Sequence, residues 1–237
     1  MAEIVYDGKE KKIYSTDQPD VVRIHHTDTV TAFGGIKRGL IKDKGMCCNL
    51  ISAMAFVALK DAGIPNHFIS VEGDREMLCE KIEIIPLEVI VRNRLAGTTA
   101  KMLGVENGYR MNNTVYELRY NCDELCDPII NEHHAVALGL VTYDDMQEIY
   151  DLAARTNLAL FEFFHKAGIE LVDFKMEVGR TSDGRIIVSD EISPDKCRLW
   201  DEETGAILDK DRFRHDLSDV SASYKEVLDR LIKASEE

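Results

Sequence analysis

The segment Leu171-Val172-Asp173-Phe174-Lys175-Met176-Glu177-Val178-Gly179 alternates apolar and charged side chains with the two-residue period of a β-strand. Val172, Phe174, Met176 and Val178 share one face; Asp173, Lys175 and Glu177 share the other. The pattern calls for a sheet with one covered face and one polar face. Taken alone, it reads as a surface strand with its charges outward.

The strand that follows changes the balance. Arg185 to Ser193 comes after a Ser182-Asp183-Gly184 turn and runs into Asp190-Glu191-Ile192-Ser193-Pro194-Asp195. A two-residue hairpin at Asp183-Gly184 predicts Glu177 opposite Asp190. Two carboxylates about 5 Å apart at an effective dielectric near 20 repel by roughly 3 kcal/mol, so the pair calls for a cation. Magnesium suits it, because it takes hard oxygen ligands from one or two carboxylates plus substrate phosphates. The alternatives are neutralisation by Lys175 or an arginine, or a longer loop with a different register. Lys175 is placed either to meet a phosphate oxygen or to form an ordinary intrasheet ion pair.

At 237 residues and 45% hydrophobic content, the chain can bury one large core or two modest lobes. Strands are expected at Ile4 to Tyr6, Lys12 to Tyr14 and Val21 to Ile24, followed by a helix from Lys44 to Ala62 that stops at Gly63. Strands return at His67 to Val71, Met77 to Ile85 and Leu87 to Arg92. Pro86 breaks that run and sets the lobe boundary, giving an N-terminal β-rich lobe over 1–86 and a C-terminal α/β lobe over 87–237. Thr142-Tyr143-Asp144-Asp145 reads as a capping box opening a second long helix, and a last helix covers Ser218 to Ala234. The fold class is α+β and two-lobed.

The formal net charge of −14 disfavours nucleic acid as a partner. There is no apolar run of about 18 residues, and Glu3 stands where a signal peptide would be basic. A cytoplasmic protein without membrane contact is expected. Six scattered cysteines lack the paired C-x-x-C spacing of zinc sites and read as free thiols.

Two basic elements can hold anions. In Gly8-Lys9-Glu10-Lys11-Lys12, alternation predicts Lys9 and Lys11 on one face, although most lysine-rich hairpins are solvated turns. In Pro86 through Thr98, Arg92 and Arg94 share a strand face and lead into Gly97-Thr98, where backbone N–H groups and a hydroxyl are available. One of these arginines is expected to pair with Glu88. Arg198 lies in a turn-rich loop and can bring a third guanidinium to the same cleft; Trp200 reads as a packing anchor and His133-His134 as bystanders.

In order along the chain, Gly8-Lys9-x-Lys11, Pro86-Leu87-Glu88 through Gly97-Thr98, Leu171-Val172-Asp173-x-Lys175-x-Glu177-x-Gly179 and Asp190-Glu191-Ile192-Ser193-Pro194-Asp195-x-Cys197-Arg198-Leu199-Trp200-Asp201 resemble the SAICAR synthetase family, as does Asp209-Lys210-Asp211-Arg212-Phe213-Arg214. The resemblance covers essentially the whole chain. It implies the ligation of L-aspartate to carboxyaminoimidazole ribonucleotide at the expense of ATP, giving SAICAR, ADP and phosphate in de novo purine synthesis. It also implies a nucleotide lobe and a larger α/β lobe similar to kinase and ATP-grasp architectures.

By motif, Lys9 and Lys11 would contact ATP phosphates, and the crossing that carries Lys81 and Ile84 would border adenine. Glu177 and Asp190 would hold Mg2+ with Lys175 beside them. Arg92, Thr98 and Arg198 would grip the ribonucleotide phosphate, and Asp173 and Asp127 would contact its imidazole or ribose. Lys175 and Asp173 are cast nearest the chemistry. Thr98 stands where serine is common, and Gly34-Gly35 where many relatives carry a polar residue. A homo-oligomer is expected from the resemblance only. The rivals are another ATP-dependent carboxylate–amine ligase or a small-molecule kinase, and, more remotely, a catalytically dead binding module.

Overall fold

The computed structural model describes residues 3–236. The first strands are β1 (Ile4–Asp7), β2 (Lys11–Ser15), β3 (Val21–His26), β4 (Thr29–Ala32) and β5 (Lys37–Leu40), followed by the helix α1 (Lys44–Asp61) and by β6 (Phe68–Gly73) and β7 (Glu76–Glu80). Five of these form an antiparallel sheet in the order β1-β2-β3-β7-β6, with β4 and β5 as a separate hairpin. Along β3 the inward positions Val22, Ile24 and His26 are buried, and α1 covers them. Gly63 ends α1 with φ +70, a value a side chain resists, while Ile64 N–H donates to the Leu59 carbonyl.

Past Glu80 the chain crosses through Lys81 and Ile82 into a second sheet. Its elements are β8 (Glu83–Leu95), α2 (Gly97–Leu103), β9 (Tyr109–Tyr120), β10 (Ile129–Ile130), α3 (Glu132–Ala137), α4 (Tyr143–His165), β11 (Ile169–Arg180), β12 (Ile186–Ser189), β13 (Cys197–Asp201), α5 (Asp211–Arg214) and α6 (Val220–Ser235). The strand order is β10-β9-β8-β11-β12, with β13 also pairing β11. The capping box is present: Asp145 N–H donates to Thr142 Oγ1 and Thr142 N–H to Asp145 Oδ2. One cluster of buried apolar side chains runs from Val22 and Ile24 through Ile51, Phe56 and Leu59 of α1 to Phe174, Met176 and Val178.

Three expectations need correction. Pro86 does not interrupt a strand; it lies inside β8, and the break falls at Lys81–Ile82. The β11 register jumps there from Glu177↔Glu88 to Val178↔Ile85, so the proline sits in a bulge where no ladder N–H is required, and its carbonyl accepts from Asn121 N–H. Val172 does not share the core face with Phe174. A register shift against β13 between Leu171 and Asp173 makes it the extra residue, so that Ile169 and Leu171 join Phe174 in the core cluster. The β11–β12 hairpin has a three-residue loop, Ser182-Asp183-Gly184, with Gly184 at φ +91. Glu177 therefore faces Ser189, one residue short of Asp190.

Candidate active site

The polar face of the second sheet can be read in rows across β9, β8 and β11. Arg119, Glu88 and Glu177 are neighbours, then Glu117, Ile90 and Lys175, then Val115, Arg92 and Asp173. An acid does lie directly opposite Glu177, but it is Glu88 on β8. Lys175 relieves the repulsion, its Nζ touching Glu88 and lying 3.2 Å from Glu177 Oε1.

Asp190 joins this group from beyond the end of β12. Its φ of +67 turns the chain, and Lys196 Nζ lies 2.9 Å from Asp190 Oδ2 and 3.7 Å from Glu177 Oε1. Lys11 enters from the first sheet to pair with Asp190 and with Glu191 at 3.3 Å. Burial opposes ionisation of Glu177, but Lys196, Lys175 and Lys11 outweigh it and hold its carboxyl at about 2. Burial likewise pushes His67 down to about 3 and His26 to about 4, so both are neutral; His67 Nε2–H donates to the Asp190 carbonyl at 3.1 Å.

Lys11, Lys175, Glu177 and Asp190 thus converge, whereas Lys9 does not join them. Lys9 precedes β2 and reaches Asp123 at 2.6 Å on the exposed side of the turn, so the expected shared face with Lys11 fails where strand geometry has not yet begun. Lys81 and Ile84 are exposed at the crossing between sheets. Gly179 pairs with Ile84 across the sheet, and a Cβ there would come within 2.4 Å of Ile82 Cδ1 and 2.9 Å of the Glu83 carbonyl.

Farther along the same face, the arginines are braced by carboxylates. Arg92 donates to Asp173 Oδ2 at 2.8 Å and to Glu117 Oε2 at 3.1 Å. Arg198 donates to the same Asp173 oxygen at 2.8 Å and to Asp211 Oδ2 at 2.8 Å. Gly97, at φ +59, admits that guanidinium: a Cβ would stand 2.5 Å from Arg198 Nη2. Thr98 is exposed at the start of α2, and Thr99 donates to Glu117.

The expected arginine pairing with Glu88 does not occur, because Lys175 takes that acid, while Arg94 pairs with Glu170 and lies over Trp200. Asp127 closes its own loop by accepting from Cys122 N–H at 3.0 Å. His133 contacts Tyr143 and His134 completes a helix cap.

Several contributors escaped the sequence reading. Glu117 carries no motif of its own, and Glu191 lies within the Asp190 to Asp201 motif but was given no role. Lys196 occupies the unspecified position between Asp195 and Cys197. Behind it, Lys44 pairs with Asp195, which also accepts from Tyr224 Oη at 2.6 Å, while Ser193 donates to Glu191 at 2.7 Å. Cys48, Glu191 and Asp195 are close enough to share a metal, yet these hydrogen bonds already engage both acids. Alternation did mark Glu88 as sharing the face of Arg92.

A model of the SAICAR synthetase family matches residues 4–231. The chain belongs to the SAICAR synthetase family. The phosphoribosylaminoimidazole-succinocarboxamide synthase of Clostridium beijerinckii is 51% identical over 231 residues, 98% of each chain. The crystal structure of the synthase from Ehrlichia chaffeensis superposes with a TM-score of 0.95 at 40% identity, covering 97% of this chain and 98% of that one. A SAICAR synthetase solved in complex with ADP has a TM-score of 0.93 at 42% identity, covering 97% of both. Family membership carries ATP-dependent formation of SAICAR in purine biosynthesis, and the kinase alternative is not favoured. Among the described residues, no helix is long and apolar enough to cross a membrane.

Proposed function

We propose that the lysine–carboxylate end of this face handles ATP and its metal, and that the arginine end holds the ribonucleotide. Glu177 and Asp190 offer hard oxygen donors directed at one point, since both reach Lys196 Nζ. That donor set fits Mg2+ and not a soft metal. Magnesium, when bound there, would offset negative charge on the phosphates.

Lys11 and Lys175 supply further positive charge to the phosphoryl group in transfer, and Lys81 and Ile84 border the base. Arg92 and Arg198, fixed by Asp173, present guanidinium edges to the ribonucleotide phosphate, with the Thr98 hydroxyl beside them. Asp173 and Asp127 orient the imidazole and ribose. The nucleotide site falls at the junction of an N-terminal lobe that ends at the Lys81–Ile82 crossing and a C-terminal lobe that begins with β8, in a cytoplasmic enzyme.

The chemistry these groups suit is activation of a carboxylate. The substrate carboxylate attacks the γ-phosphorus and ADP leaves, so the carboxylate oxygen becomes part of a mixed anhydride. The aspartate amine then adds to that acyl carbon, loses its proton and expels phosphate. The protein's contribution is positioning and charge, with no covalent nucleophile.

The observation that carries this reading is that both charge clusters lie on one sheet face. Asp173 and Glu177 are four residues apart, roughly 13 Å along the strand, which lets one small substrate meet both. The test is steady-state ADP release with each substrate withheld in turn. Sustained release requires ATP, carboxyaminoimidazole ribonucleotide and L-aspartate together; undiminished release without aspartate would make this a kinase.

A further inference from the structure

Lys196 stands between the two carboxylates assigned to the metal, and nothing in the reaction scheme uses it. Its N–H donates to the Ser193 carbonyl at 2.9 Å, and its carbonyl accepts from Lys175 N–H at 2.9 Å, so its backbone is pinned against β11. The side chain then reaches Asp190 and Glu177, which come from different elements. The other charged groups of this cluster are Glu88, Glu191, Lys11 and Lys175. Four carboxylates thus face three ammonium groups. Without Lys196 the imbalance would be two negative charges, the amount that one divalent ion cancels.

We propose that Lys196 is an internal counter-ion that competes with the divalent metal for Glu177 and Asp190, making tight metal binding conditional on nucleotide. The inference rests on the assignment of those two acids to the metal. A lysine suits the role because its ammonium is a point charge on a flexible stem. Nucleotide phosphates give that ammonium another anionic partner, and its departure leaves the two carboxylates to the metal. Nucleotide and metal then enter as one event, and the free enzyme holds little metal.

The test is binding of Mn2+ as a probe ion, followed by electron paramagnetic resonance on the whole chain, with and without ADP. Wild type should bind Mn2+ weakly alone and more tightly with ADP. Lys196→Met should bind Mn2+ without ADP at least about tenfold more tightly than wild type, ~1.4 kcal/mol, and gain less from ADP. Lys196→Arg, which keeps the charge, should resemble wild type. Equal ADP-free affinity in wild type and Lys196→Met overturns the proposal. Should Lys196→Met fail to fold, wild-type binding as tight without ADP as with it overturns it equally. Glu177→Gln separates the two readings. If it binds Mn2+ like wild type in the presence of ADP, the metal assignment itself fails; if it loses binding while Lys196→Met is unchanged, only the role of Lys196 fails.

Discussion

The two ends of the polar sheet face solve the problem of concentrated charge differently. At the arginine end, Arg92 is held between Asp173 and Glu117, and Arg198 between Asp173 and Asp211, each through directed guanidinium hydrogen bonds. At the lysine end, Lys11, Lys175 and Lys196 are each shared between carboxylates, and those groups come from both sheets and the loop beyond β12. A planar fork locked by two acids is preorganised for an anion that stays where it binds. Ammonium groups on flexible stems can change partners as charge moves. The fixed end suits a substrate handle and the adaptable end suits phosphoryl transfer.

The largest break in this comparison should come from Glu177→Gln. It keeps the shape of the side chain and removes one negative charge from the adaptable end. The expected result is a fall in kcat of ~10³-fold or more, about 4 kcal/mol, with altered magnesium dependence and little change in the KM for ribonucleotide. An unchanged rate and metal dependence would remove Glu177 from the site. Arg92→Ala is the counterpart at the fixed end, and it leaves Asp173 and Glu117 each short of a partner. The expected loss is ~10²-fold in ribonucleotide affinity, about 2.7 kcal/mol, with a much smaller change in the KM for ATP. Equal losses for both ligands would make Arg92 a structural residue and erase the distinction between the ends.

The parts of this arrangement legible in the chain were those written locally. Thr142 and Asp145 signal their own capping box, Gly63 signals the end of α1, and alternation assigns Asp173, Lys175 and Glu177 to one face. What was not legible depends on partners distant in sequence or on one-residue choices. Whether the β11–β12 loop holds two or three residues moves Glu177 from Asp190 to Ser189, and the local sequence accommodates either. The bulge at Val172 inverts the face of every residue before it, without any glycine to mark it. Lys175 finds Glu88 across 87 positions, a pairing that alternation permits but does not select. The motifs singled out Lys11, Arg92 and Arg198, each of which the fold pairs with carboxylates of the polar groups beside β11, while Lys196 went unread because no motif specifies its position.

Acid sharpens the comparison through stability, not through catalysis or binding. Glu177 titrates at about 2 in the folded protein, because its lysine neighbours overcome the cost of its burial, against 4.5 for an unperturbed glutamate. Its contribution to stability is therefore fully present above pH 4.5 and is lost as the pH falls through the interval down to about 2, where the unfolded chain holds a proton that the folded chain refuses. The slope of unfolding free energy against pH should fall by up to one proton's worth, about 1.4 kcal/mol per pH unit, in Glu177→Gln relative to wild type across that interval. Urea denaturation at stepped pH measures both slopes, and above pH 5 they should run parallel. A constant gap between the two proteins from pH 5 down to pH 2 would mean that the lysines do not hold this carboxylate ionised, and the adaptable end would lose the charge on which its chemistry depends.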